Sequence, residues 1–229
     1  MKITLISDTH NLHKQITKDL PGGDLIICAG DISSMGYLHE INNFCKWFEM
    51  LPYDNCVFIA GNHDFGFQDS VEDTKKLLLD YSGIDYLQDD LLLIGEESYE
   101  EKVKIYGSPW QPEFCNWAFN LPRNGEQLYQ RWNNISEDTD ILITHGPAMG
   151  HLDQVIGRTD HLGCQLLANR IEVIKPKIHV CGHIHSGFGY KFYEGTHYFN
   201  ASCLNEQYKY TNKPFTFEWD KKSNTIDFL

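Results

Sequence analysis

Short apolar runs that stop abruptly at glycine, aspartate or asparagine recur along this 229-residue chain. Lys2 to Ser7, Leu25 to Ala29 and Cys56 to Ala60 are such runs, and they predict buried strands feeding loops. Between the second and third, Tyr37, Leu38, Ile41, Phe44, Cys45, Phe48 and Leu51 follow helical spacing, with Pro52 closing the pattern. The first sixty residues therefore read as β-α-β-α-β. A further helix is expected over Val71 to Tyr81, with Gly83 as its C-terminal cap.

Leu91 to Ile94 and Val103 to Tyr106 then read as strands flanking an acidic turn. Ser108 to Arg123 gathers Trp110, Phe114, Trp117 and Phe119 among prolines and asparagines without any period, and reads as a structured loop. Helices are expected over Gln127 to Asn133 and over Gly163 to Lys175, the latter stopped by Pro176. Asp140 to Thr144 and Ile178 to Cys181 read as strands. Tyr190 to Tyr193, His197 to Ala201, Phe215 to Trp219 and Thr225 to Phe228 form a β-rich tail. Strands alternating with helices predict an α/β fold, and the length suits a single domain over residues 1–229.

Composition narrows the partners. No apolar run approaches the roughly 20 residues that cross a bilayer, and the apolar start at Lys2 is too short for a secretory signal core. No membrane association is expected. The formal charge is -13 and no lysine or arginine cluster is present, which disfavours long nucleic acid. The seven cysteines are scattered, form no C-x-x-C pair and suit a reducing, cytoplasmic location; Cys181 reads as a packed strand thiol.

Candidate chemistry sits where the apolar runs end: Asp8-Thr9-His10, Gly30-Asp31, Gly61-Asn62-His63-Asp64, Thr144-His145-Gly146 and Cys181-Gly182-His183-Ile184-His185. Loops at the carboxyl ends of α/β strands leave a crevice, so these polar groups are expected to converge. Asp8 with His10, and His183 with His185, are two residues apart and project to one side of an extended segment. Two such pairs with a carboxylate between them can hold two divalent ions roughly 3.5 to 4 Å apart. Asp31 is the natural bridge. His13, His39, His179 and His197 fit no motif and read as packing or surface groups, whereas His151 and His161 flank the loop after His145.

In their order and spacing these five blocks resemble the calcineurin-like metallophosphoesterases. Tyr106-Gly107-Ser108-Pro109-Trp110-Gln111-Pro112, Phe119 to Arg123, His145-Gly146-Pro147 and Lys175 to His185 are similar to the metallophosphoesterase-domain-containing subgroup, which is related to class III cyclic nucleotide phosphodiesterases. The resemblance implies a four-layer α/β/β/α sandwich. It implies that Asp8, His10, Asp31 and His185 bind one metal, and that Asp31, Asn62, His145 and His183 bind the other. His63 would stand over the phosphate as a proton donor, with Asp64 orienting it as an acid–histidine pair.

The reaction so implied is in-line attack on phosphorus by a water or hydroxide bridging two divalent ions. The mixed imidazole, carboxylate and amide ligands favour Mn, Fe, Zn, Co or Ni, with manganese expected to support activity in vitro. The expected substrate is a small cyclic or nucleotide-like phosphodiester, and the expected state is a monomer or homodimer. Asn116 and Arg123 are the candidate substrate contacts in the aromatic loop, whose tryptophans read as a hydrophobic plug rather than a rim. A broad phosphomonoesterase or nucleotidase would use the same ligands. A non-catalytic, partner-binding scaffold would be expected to have lost some of them.

Overall fold

A computed structural model describes residues 1–95 and 101–229. The chain opens with β1 (Lys2–Ile6), a one-turn helix α1 (His13–Ile16), β2 (Gly23–Cys28), α2 (Leu38–Phe48) and β3 (Tyr53–Phe58). Next come α3 (Gly66–Asp69), α4 (Val71–Leu78), β4 (Ile84–Tyr86), β5 (Asp90–Ile94) and β6 (Val103–Ser108). They are followed by β7 (Gln111–Pro112), β8 (Asn120–Leu121), α5 (Glu126–Asn133), β9 (Ile141–Thr144), α6 (Gln165–Ile174) and β10 (Ile178–Cys181). The tail supplies β11 (Gly189–Tyr193), β12 (Thr196–Asn200), β13 (Phe215–Asp220) and β14 (Thr225–Phe228).

Two six-stranded sheets result, ordered β14-β13-β1-β2-β3-β4 and β11-β12-β10-β9-β6-β5. Period-two alternation builds the layers. Ile3, Leu5, Leu25, Ile27 and Val57 point inward and meet Ile105, Ile141, Ile143, Ile178 and Val180 of the other sheet. The intervening Ile6, Ile26, Cys28 and Phe58 point outward and pack on Phe44, Cys45 and Phe48 of α2. On the far face Leu142 and Tyr106 are covered by Leu128, Trp132, Leu167 and Ile171 of α5 and α6. The protein is thus an α/β/β/α sandwich, as the motif resemblance implied.

Within each sheet the central strands run parallel, so β1, β2 and β3 end on one side, as do β9 and β10. A bridge between Ser7 and Ser202 joins the two sheets at that rim. All five ligand-bearing loops leave from it.

Two local expectations need correction. The helix expected between β1 and β2 is a single α turn continued by a 3-10 turn over Thr17–Asp19, because Pro21-Gly22-Gly23 ends any longer run. The loop Ser108 to Arg123 contains a small parallel pair, β7 with β8. Edge strand β4 is three residues long and carried no readable alternation. The acidic turn expected between Ile94 and Val103 falls largely on residues 96–100, which lie outside the described residues. Among the described residues no helix is long and apolar enough to cross a membrane.

Candidate metal centre

Asp8, Asp31, Asn62, His145 and His183 each stand just past a strand end, and all but His183 are nearly inaccessible to solvent. The backbone bends sharply there: Asp8, His10, Asp31 and His183 have φ of 53°, 38°, 51° and 66°, left-handed values that side chains rarely adopt. Such strain clusters at functional sites, where surrounding contacts hold it in place. The glycines before the ligands are explained by close approach. A Cβ at Gly61 would overlap the Asp31 carboxylate, and one at Gly182 would overlap that of Asp8.

These loops bring Asp8, His10, Asp31, Asn62, His63, His145, His183 and His185 to one cluster. Single ligand atoms from Asp8, His10 and His185 lie within 4.8 Å of one another, as do those from Asp8, Asp31 and His145, and those from His10, Asp31 and His63. Asp31 belongs to two of the three groups, with Oδ2 3.3 Å from His145 Nε2 and 3.6 Å from His10 Nε2. Asn62 Oδ1 is 3.0 Å from His145 Nε2, and His185 Nε2 is 3.4 Å from Asp8 Oδ1. The His183 ring stands 5.2 Å from that of His145, and its backbone N–H donates to both Asp8 oxygens at 3.1 Å.

Four imidazoles are aimed the same way. Nδ1 of His10 meets the Ser33 carbonyl at 3.2 Å, that of His63 the Ser34 carbonyl at 2.8 Å, that of His145 the Ala29 carbonyl at 2.9 Å, and that of His185 the Asn205 carbonyl at 2.9 Å. Each Nδ1–H donating to a carbonyl leaves Nε2 as the lone-pair atom facing the cluster, the arrangement that prepares a metal-ligating histidine. Ser202 also donates to Asp8 Oδ2 at 2.8 Å.

The donors fit divalent cations. His10 Nε2 is buried with no hydrogen-bond partner, an orphan that a cation would satisfy. Burial alone would raise the carboxyls of Asp8 and Asp31, yet His185 beside the first and His145 beside the second hold both well below the usual range. Against burial, the same pairs raise His145 and His185 to about 9. His183 is pushed down to about 4 by burial and by its neighbour His145. Two buried anions are thus matched by imidazole protons, a charge balance that metal cations would take over as those protons leave.

Asp64 departs from expectation. Its carboxylate accepts from the backbone N–H groups of Ile32 (3.2 Å), Ser33 (3.0 Å) and Gly61 (2.8 Å) and from the Ser33 hydroxyl (2.5 Å). The His63 ring is turned instead by Ser34, so no acid–histidine pair forms. Asp64 locks the loops after β2 and β3 together because three backbone donors converge on its carboxylate.

Beside His183 opens a cavity of about 520 Å³, walled by Gln111, Phe114, Pro147, Leu162 and Glu206. Arg123 lines it, with Nη1 donating to the carbonyls of Leu162 (3.1 Å) and Gly163 (2.9 Å). Asn116 is exposed on the loop and does not line this cavity. The two tryptophans divide. Trp110 packs on Phe119 and donates to Asp89 at 2.8 Å, a plug, whereas Trp117 stacks on His63 with centroids 4.0 Å apart. His151 stacks on Tyr198 and His161 binds Asp153 at 2.6 Å, and neither lines the cavity.

Sequence reasoning missed the contributions of the tail: Asn200 and Ser202, Asn205, and Tyr208, whose ring lies 4.9 Å from that of His10. A readable signal existed for the first pair, since Asn200-Ala201-Ser202 ends an apolar strand just as the ligand motifs do.

Sandwich, strand-end cluster and imidazole settings together define a metallophosphoesterase. The chain belongs to the calcineurin-like phosphoesterase family, whose model matches residues 1–187. It is 36% identical to human metallophosphoesterase domain-containing protein 1, over 98% of this chain and 72% of the relative. It is 34% identical to a UPF0046 protein of Caenorhabditis elegans, over 100% of this chain and 62% of that one. Among solved structures, TT1561 of Thermus thermophilus shares the fold with a TM-score of 0.63 at 12% identity, covering 100% of this chain and 97% of its own.

Proposed function

We propose that the protein is a dinuclear, divalent-metal-dependent phosphodiesterase acting on small, nucleotide-like diesters. The observation that carries this reading is the asymmetry of the cluster's surroundings. His183 borders a cavity of about 520 Å³ at one end, while half-buried His63 lies beside Trp117 at the other. A phosphate at the cluster therefore has room for an organic arm on the cavity side, with His63 and Trp117 flanking the other. A monoesterase needs a pocket closed around a terminal phosphate.

Asp8, His10, Asp31 and His185 would hold one cation, and Asp31, Asn62, His145 and His183 the other; Asp31 Oδ2, between His10 Nε2 of the first set (3.6 Å) and His145 Nε2 of the second (3.3 Å), supports the bridging role. When bound, the two cations supply charge neutralisation at the phosphoryl oxygens and acidify the attacking water. The imidazole and amide donors suit Mn, Fe, Zn, Co or Ni better than magnesium. His63 would keep its Nδ1–H on the Ser34 carbonyl and, when protonated at Nε2 as well, give that Nε2 proton to the leaving oxygen, returning to the neutral ring. Trp117 holds that ring flat. Arg123 acts through the wall it braces, by fixing the carbonyls of Leu162 and Gly163.

The test is metal-stripped protein reconstituted with manganese and assayed on bis-p-nitrophenyl phosphate and p-nitrophenyl phosphate. Faster, manganese-dependent cleavage of the diester is expected. Preference for the monoester would move the protein to the phosphomonoesterases, and hydrolysis of neither would overturn the assignment.

A further inference from the structure

We infer that Tyr208 touches the substrate, forming the wall on the side of the cluster opposite the cavity and selecting esters that carry a second organic arm. This rests on the phosphodiester reading above. The ring of Tyr208 stands edge-on to three imidazoles, with centroids 4.9 Å from His10, 5.5 Å from His185 and 6.4 Å from His63. It nevertheless remains 50% exposed. A tyrosine that serves packing buries its ring and bonds its hydroxyl. Among the described residues this hydroxyl has no hydrogen-bond partner, and the ring presents one side to the ligand atoms and another to solvent.

The backbone is bent to keep it there. Tyr208 has a φ of 55°, a conformation disfavoured for a bulky side chain and sustained only by surrounding contacts. Asn205 supplies them. Its carbonyl accepts from Tyr208 N at 2.8 Å, its side-chain oxygen accepts from Gln207 N and Lys209 N at 3.0 Å each, and its N–H donates to Lys209 O at 2.9 Å. The same Asn205 carbonyl receives His185 Nδ1. One residue thus both aims a ligand imidazole and turns Tyr208 over the cluster, so the tyrosine is registered to the metal site.

A phenol hydroxyl can donate to a phosphoryl oxygen while the ring packs on the adjoining organic group. Glu206, two residues earlier, lines the cavity on the other side. The short segment Asn205 to Tyr208 therefore borders both positions in which an ester arm would lie. It also lies beyond residue 187, where the family match ends.

The experiment compares manganese-loaded wild type with Tyr208→Phe and Tyr208→Ala. It measures metal content, kcat and KM on bis-p-nitrophenyl phosphate and p-nitrophenyl phosphate, and inorganic phosphate affinity by calorimetry. Tyr208→Ala is expected to keep its metal, raise KM for the diester about tenfold and affect the monoester less. Tyr208→Phe is expected to weaken phosphate binding several-fold while keeping most of the diester preference. Diester KM and phosphate affinity within twofold of wild type in Tyr208→Ala would overturn the proposal. Loss of metal from Tyr208→Ala would overturn it too, by making the ring a support for His185. Should wild type cleave neither ester, the phosphodiesterase reading fails, and unchanged phosphate affinity in both variants would then separately dismiss Tyr208.

Discussion

The indole of Trp117 lies over the His63 imidazole, with ring centroids 4.0 Å apart and planes 30° from parallel. The ring so covered is also pinned at Nδ1 by the Ser34 carbonyl at 2.8 Å, leaving only Nε2 for a ligand. Stacking on one face and a hydrogen bond on one edge fix both tilt and rotation.

Trp117→Ala is therefore expected to lower kcat on bis-p-nitrophenyl phosphate by roughly tenfold, because a misplaced proton donor loses near-attack geometry. Metal content should not change, since His10, His145 and His185 are aimed by their own carbonyl partners. Trp117→Phe retains a stacking face and should recover most of the rate. Equal kcat in Trp117→Ala and wild type would show that the stack is incidental.

Asp31→Asn tests the centre of the cluster. Asp31 Oδ2 lies 3.3 Å from His145 Nε2 and 3.6 Å from His10 Nε2, and Oδ1 accepts from His63 N at 2.8 Å. If Asp31 bridges as proposed, replacing its carboxylate removes the negative charge the two sites share, so both ions should weaken together. Elemental analysis is expected to show loss of most metal, and activity should fall by at least about a hundredfold, beyond the cost of altering an outer partner of a ligand. Two tightly held ions per chain in this variant would refute the bridge.

Much of this was legible in the sequence because strands that end in a ligand write both facts in side chains. Asp8, Asp31, Asn62, His145 and His183 each follow an apolar run, and the cluster forms where those runs end. What orients the ligands was not legible. The groups that set Nδ1 are backbone carbonyls of Ala29, Ser33, Ser34 and Asn205, and a carbonyl has the same identity in every residue. Asp64 misled for the related reason that adjacency in Asn62-His63-Asp64 suggested a side-chain pair, while backbone donors captured the carboxylate. Tyr208 was hidden by distance, since its turn reaches the cluster from a tail with no motif.

Acid should weaken the fold through two buried histidines outside the proposed ligand set, His179 and His13. His179 is enclosed in β10, and burial pushes it down to about 3; His13, packed against Trp47 and Phe44, is pushed down to about 4 by burial and by Lys14. Unfolded histidines take up protons near pH 6.5, so below that the unfolded chain binds more protons and stability falls with pH. The loss continues until the folded values are reached, and amounts to about 2 kcal/mol per group at pH 5. The contribution should appear as a difference between wild type and His179→Gln in the slope of metal-free denaturant midpoints between pH 7.5 and 5, since His145 and His185, raised to about 9, titrate alike in both. An unchanged slope would mean that His179 is not held neutral.

Gly182→Ala reaches the centre without removing any ligand. The Cβ would overlap the Asp8 carboxylate and the Ser7 hydroxyl, and neither can retreat. Asp8 is held by the His183 N–H and by Ser202, and Ser7 sits on the bridge that joins the two sheets. The strain should therefore shift Asp8 relative to His185, whose Nε2 stands 3.4 Å from it. Metal affinity is expected to fall by at least about tenfold while the far-ultraviolet circular dichroism keeps its native shape, since β1 ends before residue 8 and β10 before residue 182. Full manganese occupancy at wild-type affinity in Gly182→Ala would show that this glycine is not there to make room for the ligand.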